Sequence, residues 1–120
     1  KYFSENNILA KKYLEEGVSL FESEKYNKAI KSFNKAIKYG QKATIVNKLI
    51  LADSYSSIGT SYKLLEKYKK STDACMQSIP YYLDIGLNPA LIYSYITWNY
   101  KMLEDTPNAI KYCNKFIIFN

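Results

Sequence analysis

A pattern of aromatic and small residues recurs three times along this chain, and it restricts the fold more than any other feature. Tyr13, Gly17 and Leu20 fall at steps of four and three, the spacing of one helix face. After a polar turn, Glu22-Ser23-Glu24-Lys25, a second face follows in Ala29, Ile30, Phe33, Ala36 and Ile37, and Gly40 reads as its C-terminal stop. Gly17, Ala29 and Ala36 are small enough for two helix backbones to approach, while Tyr13, Leu20 and Phe33 fill the space beside them. Tyr26 opens the second helix. The unit is a helical hairpin.

Forty-two residues on, Tyr55, Gly59, Tyr62 and Tyr68 take the places of Tyr13, Gly17, Leu20 and Tyr26. Ser71, Cys75 and Ser78 follow where Ala29, Phe33 and Ala36 stood. A further shift of 38 brings Tyr93, Tyr100, Ala109 and Cys113 into register, with Thr97, Thr106 and Phe116 departing from the pattern. Repetition at a fixed period implies stacked units that share a continuous core.

These positions resemble the tetratricopeptide repeat family. Gly17, Tyr26, Ala29, Phe33 and Ala36 carry its signature in the first copy, Ile58-Gly59, Tyr62 and Tyr68 in the second, and Tyr100 and Ala109 in the third. The resemblance spans roughly residues 10–120 and implies an all-α, right-handed solenoid of about six helices, with hairpins near 5–43, 44–86 and 88–120. The family period is about 34 residues, so spacings of 42 and 38 call for longer helices or longer connections. Gln41 stands where the family usually has proline.

Within that frame the expected helices run about 5–22, 26–39, 44–65, from near Lys69 to a kink or end at Pro80, 89–103 and 107–119. Ser4 is placed to cap the first helix, and Phe3 to pack on Ile8. Asn88-Pro89 and Asp105-Thr106-Pro107 read as helix starts. The apolar ending Phe116-Ile117-Ile118-Phe119 is expected to pack on a further segment, a second copy or a partner. A first residue other than Met suggests a piece of a longer protein.

The resemblance also implies a concave groove lined by the first helix of each hairpin. Helical phase then brings forward Lys11, Leu14, Val18 and Phe21, next Ser56, Thr60 and Lys63, and last Ser94, Trp98 and Lys101. Trp98, the one tryptophan, either anchors a partner's side chain or packs between helices. Lys63 and Lys101 stand at equivalent places in neighbouring hairpins and either meet an acidic group together or are solvated charges. One branch of the family grips C-terminal carboxylates through Lys-x-x-Gly-Asn, but Leu14 and Val18, then Ser56 and Thr60, occupy the relevant places here. Another branch, bacterial peptide sensors with longer repeats, fits loosely.

Composition narrows the chemistry. The net charge of +6 comes from lysine alone, with no arginine and no histidine. Bidentate guanidinium recognition, the usual general base and the commonest metal ligand are therefore missing. Lys28, Lys31, Lys35, Lys38 and Lys42 form a basic stripe opposite the apolar face, read as a solubilising surface without the interleaved aromatics that stack bases. Nucleic acid is a poor expectation. Cys75 and Cys113 share the packing position of Phe33 and are expected buried and inert. Two cysteines without a spacing rule give no disulfide framework, which points weakly to a cytoplasmic setting. No run reaches the apolar length of a membrane span. The sequence reading is a non-catalytic scaffold without cofactor or metal that binds a protein or peptide, preferably acidic. The alternative is an oligomerisation or docking module that self-associates through its C-terminal end.

Overall fold

The computed structural model describes residues 2–43 and 46–120, the side chains of residues 2–4 excepted. Six helices follow one another: α1 (Tyr2–Glu22), α2 (Tyr26–Lys42), α3 (Lys48–Leu64), α4 (Tyr68–Asp84), α5 (Ala90–Met102) and α6 (Thr106–Phe119). Each packs on its neighbour in sequence, and the first helices of successive hairpins also touch, α1 on α3 and α3 on α5. The stack measures 48 × 31 × 18 Å. It is an all-α solenoid of three helical hairpins. No strand is present among the described residues.

The long repeat comes from long helices. Successive hairpin turns are 42 residues apart where α2 and α3 have 17 residues each, and 38 apart where α5 has only 13. The four residues lost are close to one turn, so the packing faces stay in phase.

All three hairpins turn by the same device. Glu24, Glu66 and Glu104 are left-handed, with φ of 61°, 60° and 59°. The amide of Lys25 donates to Leu20 O at 2.9 Å, that of Lys67 to Tyr62 O at 2.8 Å, and that of Asp105 to Tyr100 O at 2.9 Å. Each glutamate amide donates to a carbonyl three residues back. This is the Schellman pattern, which satisfies the last carbonyls of the first helix. It normally takes glycine, because an L side chain crowds its own carbonyl there.

Beyond the turn, the first two hairpins close through a glycine. A Cβ on Gly17 would lie 2.5 Å from the ring of Phe33, and one on Gly59 would lie 2.5 Å from Cys75 Sγ. Ser71 does more than stay small: its hydroxyl donates to Gly59 O at 2.7 Å and accepts from buried Asn99 Nδ2 at 2.8 Å. That chain ties α3, α4 and α5 together. At the far end of each hairpin two rings meet: Tyr13 on Tyr39 at 5.6 Å, Tyr55 on Tyr81 at 6.1 Å, and Tyr93 on Phe119 at 5.5 Å. These pairs are themselves in repeat register. Their second members escaped the sequence reading.

Several expectations change. Gly40 does not stop α2, which runs to Lys42; it is buried inside the helix, where an added Cβ would lie 3.0 Å from Leu51. Its smallness lets α2 meet α3. The third helix starts at Lys48 rather than 44, because Asn47 Oδ1 caps the Ile50 amide at 3.1 Å; Thr44 and Ile45 lie outside the described residues. Pro80 does not end α4, which continues to Asp84. Its ring sits on an exposed face, where water can satisfy the carbonyl it leaves free. α1 is already helical at Tyr2, and the Ser4 cap and the Phe3 staple involve side chains outside those described. Pro89 precedes α5 rather than opening it, while Asn88 Oδ1 accepts from the Ala90 amide at 2.8 Å. Cys113 is exposed, unlike buried Cys75, because none of the described helices lies over the outer side of α6.

Two measurements check these assignments. Gly17→Ala should lower the stability of the chain by about 1–3 kcal/mol in chemical denaturation, because the buried Phe33 ring must move. Glu66→Gly should raise it by about 0.5–1 kcal/mol by relieving the left-handed backbone.

Candidate functional site

The first helices, lying side by side, present three rows of residues one hairpin apart: Leu14, Ser56 and Ser94; Val18, Thr60 and Trp98; Phe21, Lys63 and Lys101. Two places along these rows have the geometry of a site.

At the step from the first hairpin to the second, Val18, Phe21, Glu22, Phe33, Ser57 and Thr60 line an open cavity of about 330 Å³. Phe21 is held by an edge-on contact with Tyr26 at 5.3 Å, and buried Phe33 is part of the core. The walls are mostly apolar, and Glu22, Ser57 and Thr60 supply polar edges.

At the next step, Lys63 Nζ lies 5.4 Å from the Trp98 ring and 5.4 Å from the Tyr95 ring, and Lys101 Nζ lies 5.9 Å from Trp98. Each contact of a lysine over an aromatic face contributes roughly 0.5–1 kcal/mol where exposed. Trp98 is 43% exposed, so it is neither buried between helices nor fully free. Neither lysine forms a salt bridge among the described residues, where Lys48 and Asp84 pair at 3.2 Å. Two ammonium groups therefore converge on one indole without a carboxylate to neutralise them. Lys63 and Lys101 also close the last turns of α3 and α5, where positive charge suits the helix dipole.

The remaining sequence candidates divide. Leu14 packs against the core. The hydroxyls of Ser56 and Ser94 are committed within the fold, Ser56 to Tyr82 OH at 2.9 Å and to Asp53 O, Ser94 to Leu91 O. Lys11 is exposed two turns before Val18 and lines neither place. Tyr95, Ser57 and Glu22 were missed. Ser57 and Tyr95 belong to a fourth row, three residues before Thr60 and Trp98, so the same helical phase could have found them.

The basic stripe is less bare of aromatics than expected. Lys35 lies 5.2 Å from the Tyr13 ring, and Lys38 and Lys42 lie 6.0 and 5.9 Å from Tyr39. Those two rings stack on each other, so the lysines cover a structural contact.

Acid–base chemistry has little to work with. Burial pushes the Cys75 thiol up to about 11, against smaller opposing effects of Ser71 and Lys63, so it stays protonated at neutral pH. Burial also raises the Tyr82 phenol strongly; its bond with Ser56 opposes this and Asp53 adds to it. No group of three or more His, Cys, Asp or Glu that could hold a metal is present among the described residues, and no helix among them is long and apolar enough to cross a membrane.

These raised values set a pH dependence. The folded chain binds the Cys75 proton more tightly than the unfolded chain, whose value is 9.0. That stabilisation is complete below the unfolded value and is lost as pH climbs towards about 11. Tyr82, Tyr55, Tyr93 and Tyr100 shift the same way, mainly through burial. Without histidine, stability should be level from about pH 6 to 8 and fall above about pH 9, read as the denaturation midpoint.

A tetratricopeptide repeat model matches residues 10–39, the greater part of α1 and α2. The curated proteins give no match to the chain. Repeats of this kind are generally protein-interaction modules. The match covers most of the first hairpin, and the other two hairpins repeat that hairpin's turn and ring pair.

Proposed function

We propose that the chain is a non-catalytic scaffold that takes up a peptide or protein segment along the face formed by α1, α3 and α5. The observation that carries this reading is the convergence of Lys63 and Lys101 on the half-exposed Trp98, with no carboxylate to balance them. An acidic side chain of the ligand can bind both ammonium groups while an apolar neighbour covers the indole. The cavity beside Val18 and Phe21 has room for one apolar side chain from the same segment. The preferred ligand is therefore acidic and partly apolar.

A peptide array graded in acidity and apolar content tests this. Wild-type chain should retain peptides that place an acidic residue beside an apolar one, and the retention should fall with rising salt. Trp98→Ala should weaken the best of them by about 1–3 kcal/mol, read by titration, without loss of cooperative unfolding. Equal retention by a Trp98→Ala, Lys101→Glu double variant would remove this face from consideration. The docking-module reading draws on a different observation, the open outer face of α6.

A further inference from the structure

Charge is divided unequally between the two sides of the stack. The first helices touch one another, α1 on α3 and α3 on α5, whereas no second helix touches another among the described residues. The second helices therefore splay along the outer, convex side. They carry nine lysines against two aspartates, while the first helices carry five lysines against five carboxylates. The surplus is concentrated in α2. Lys28, Lys31, Lys35, Lys38 and Lys42 are all exposed, and the other exposed residues of that helix are Asn27, Asn34 and Gln41. Five ammonium groups thus form one row of roughly 21 Å at the rise of a helix. None of them pairs with a carboxylate among the described residues.

The fold does not require this charge. One repeat on, the places of Lys31, Lys35, Lys38 and Lys42 hold Asp73, Gln77, Pro80 and Asp84, and α4 packs between its neighbours as α2 does. Rings hold much of the row in place. Lys12 and Lys35 lie 5.6 and 5.2 Å from Tyr13, and Lys38 and Lys42 lie 6.0 and 5.9 Å from Tyr39. Like charges crowded in this way repel one another, and an anionic partner relieves the repulsion.

The kind of anion follows from what the row lacks. Protein interfaces are depleted of lysine and anchored by aromatic or apolar side chains, and α2 exposes none. Bases are read by bidentate guanidinium groups or stacked on open rings, and single strands are held in grooves. This row has no arginine, no exposed ring and a convex setting. A lipid surface asks for none of these. Its anionic headgroups are mobile and meet point charges without fixed register, and four to eight lysines on an amphipathic helix suffice to hold a chain there. The apolar face of α2 is buried in the core, so contact is by charge alone, without insertion.

We propose that the outer face of α2 docks the chain reversibly on an anionic phospholipid surface through Lys28, Lys31, Lys35, Lys38 and Lys42. The face of α1, α3 and α5 points away from that surface, so docking is independent of ligand binding there.

Co-sedimentation with vesicles tests this. Wild type should bind phosphatidylcholine vesicles containing about 30% phosphatidylserine at about 0.1 M salt and leave them at about 0.5 M. Pure phosphatidylcholine vesicles should not hold it. Lys31→Gln, Lys35→Gln should bind about twentyfold more weakly, since each lysine near such a surface contributes roughly fivefold. Lys11→Gln, Lys67→Gln loses the same charge at exposed places off the row, and should stay within about threefold of wild type. Failure of wild type to bind the charged vesicles overturns the proposal, as does equal binding to the uncharged ones. Equal weakening of the two variants overturns it too, because net charge and not the row would then be responsible. A mixed-sequence DNA duplex that displaces the chain from the vesicles at equal phosphate overturns it in favour of nucleic acid.

Discussion

The first two hairpins each depend on one close contact, in which a side chain of the second helix sits where the first helix has no side chain at all. Phe33 against Gly17 and Cys75 against Gly59 fix the distance between the helices, and everything else is placed by that distance. It brings the ring pairs Tyr13–Tyr39 and Tyr55–Tyr81 into stacking range at one end and lets the left-handed glutamate close the other. The third hairpin lacks the glycine. There Thr97 takes the place of Gly17 and Cys113 that of Phe33, a smaller partner for a larger residue, and the hydroxyl of Thr97 is turned back to Tyr93 O at 2.8 Å. Rings take up the contact instead, Tyr112 of α6 lying 6.1 Å from Tyr93 and 5.6 Å from Tyr100.

A stack of this kind has no central core, so its stability is close to a sum of hairpin terms and the seams between them. The apolar residues divide into two clusters along that seam, one around Phe33, Leu51 and Ile58 and the other around Cys75, Ile92 and Ile96. Between them runs the buried chain from Asn99 through Ser71 to Gly59 O. Asn99 Oδ1 itself has no partner among the described residues, but a slip of one hairpin past the next would strand the bonded atoms as well, and each such loss is costly. Register is thus held by polar atoms and distance by small ones.

What could be read from the sequence was whatever repeats within a helix. Periodicity gave the rows Tyr13, Tyr55, Tyr93 and Ala29, Ser71, Ala109, and the same phase gave Lys63, Trp98 and Lys101 as neighbours. The errors came where local propensity met tertiary context. Gly40 looked like a stop because glycine usually is one, yet Leu51 of the next helix needed the space. Pro80 read as a kink or an end because a ring removes an amide, and of the two the helix runs on through it to Asp84, with the proline on an exposed face. Tyr39, Tyr81 and Phe119 were hidden by their surroundings: a lysine-rich stretch, a proline and an apolar ending. Hydroxyls were the least legible. Ser56 and Ser94 lie in the predicted rows but spend their hydrogen bonds inside the fold, and only the coordinates of Tyr82 and Leu91 reveal that.

The lysine-only charge shapes what the face of α1, α3 and α5 can recognise. A guanidinium would fix a carboxylate in one plane, whereas an ammonium is a point charge that accepts it from many directions. Specificity under the proposed reading must then come from spacing, the distance between the cavity at Val18 and Phe21 and the lysine pair at Trp98. The aromatic rings contribute by restricting the lysines. A free lysine side chain loses roughly 1.5–2 kcal/mol of rotamer entropy when fixed, and one already resting over Trp98 and Tyr95 has less to lose on binding. Tyr95 would then weaken binding when replaced without itself touching the ligand, because its ring orders Lys63. A residue that acts through the mobility of another would be invisible in a list of contacts, and the row of Ser57 and Tyr95 is where this surface would carry it.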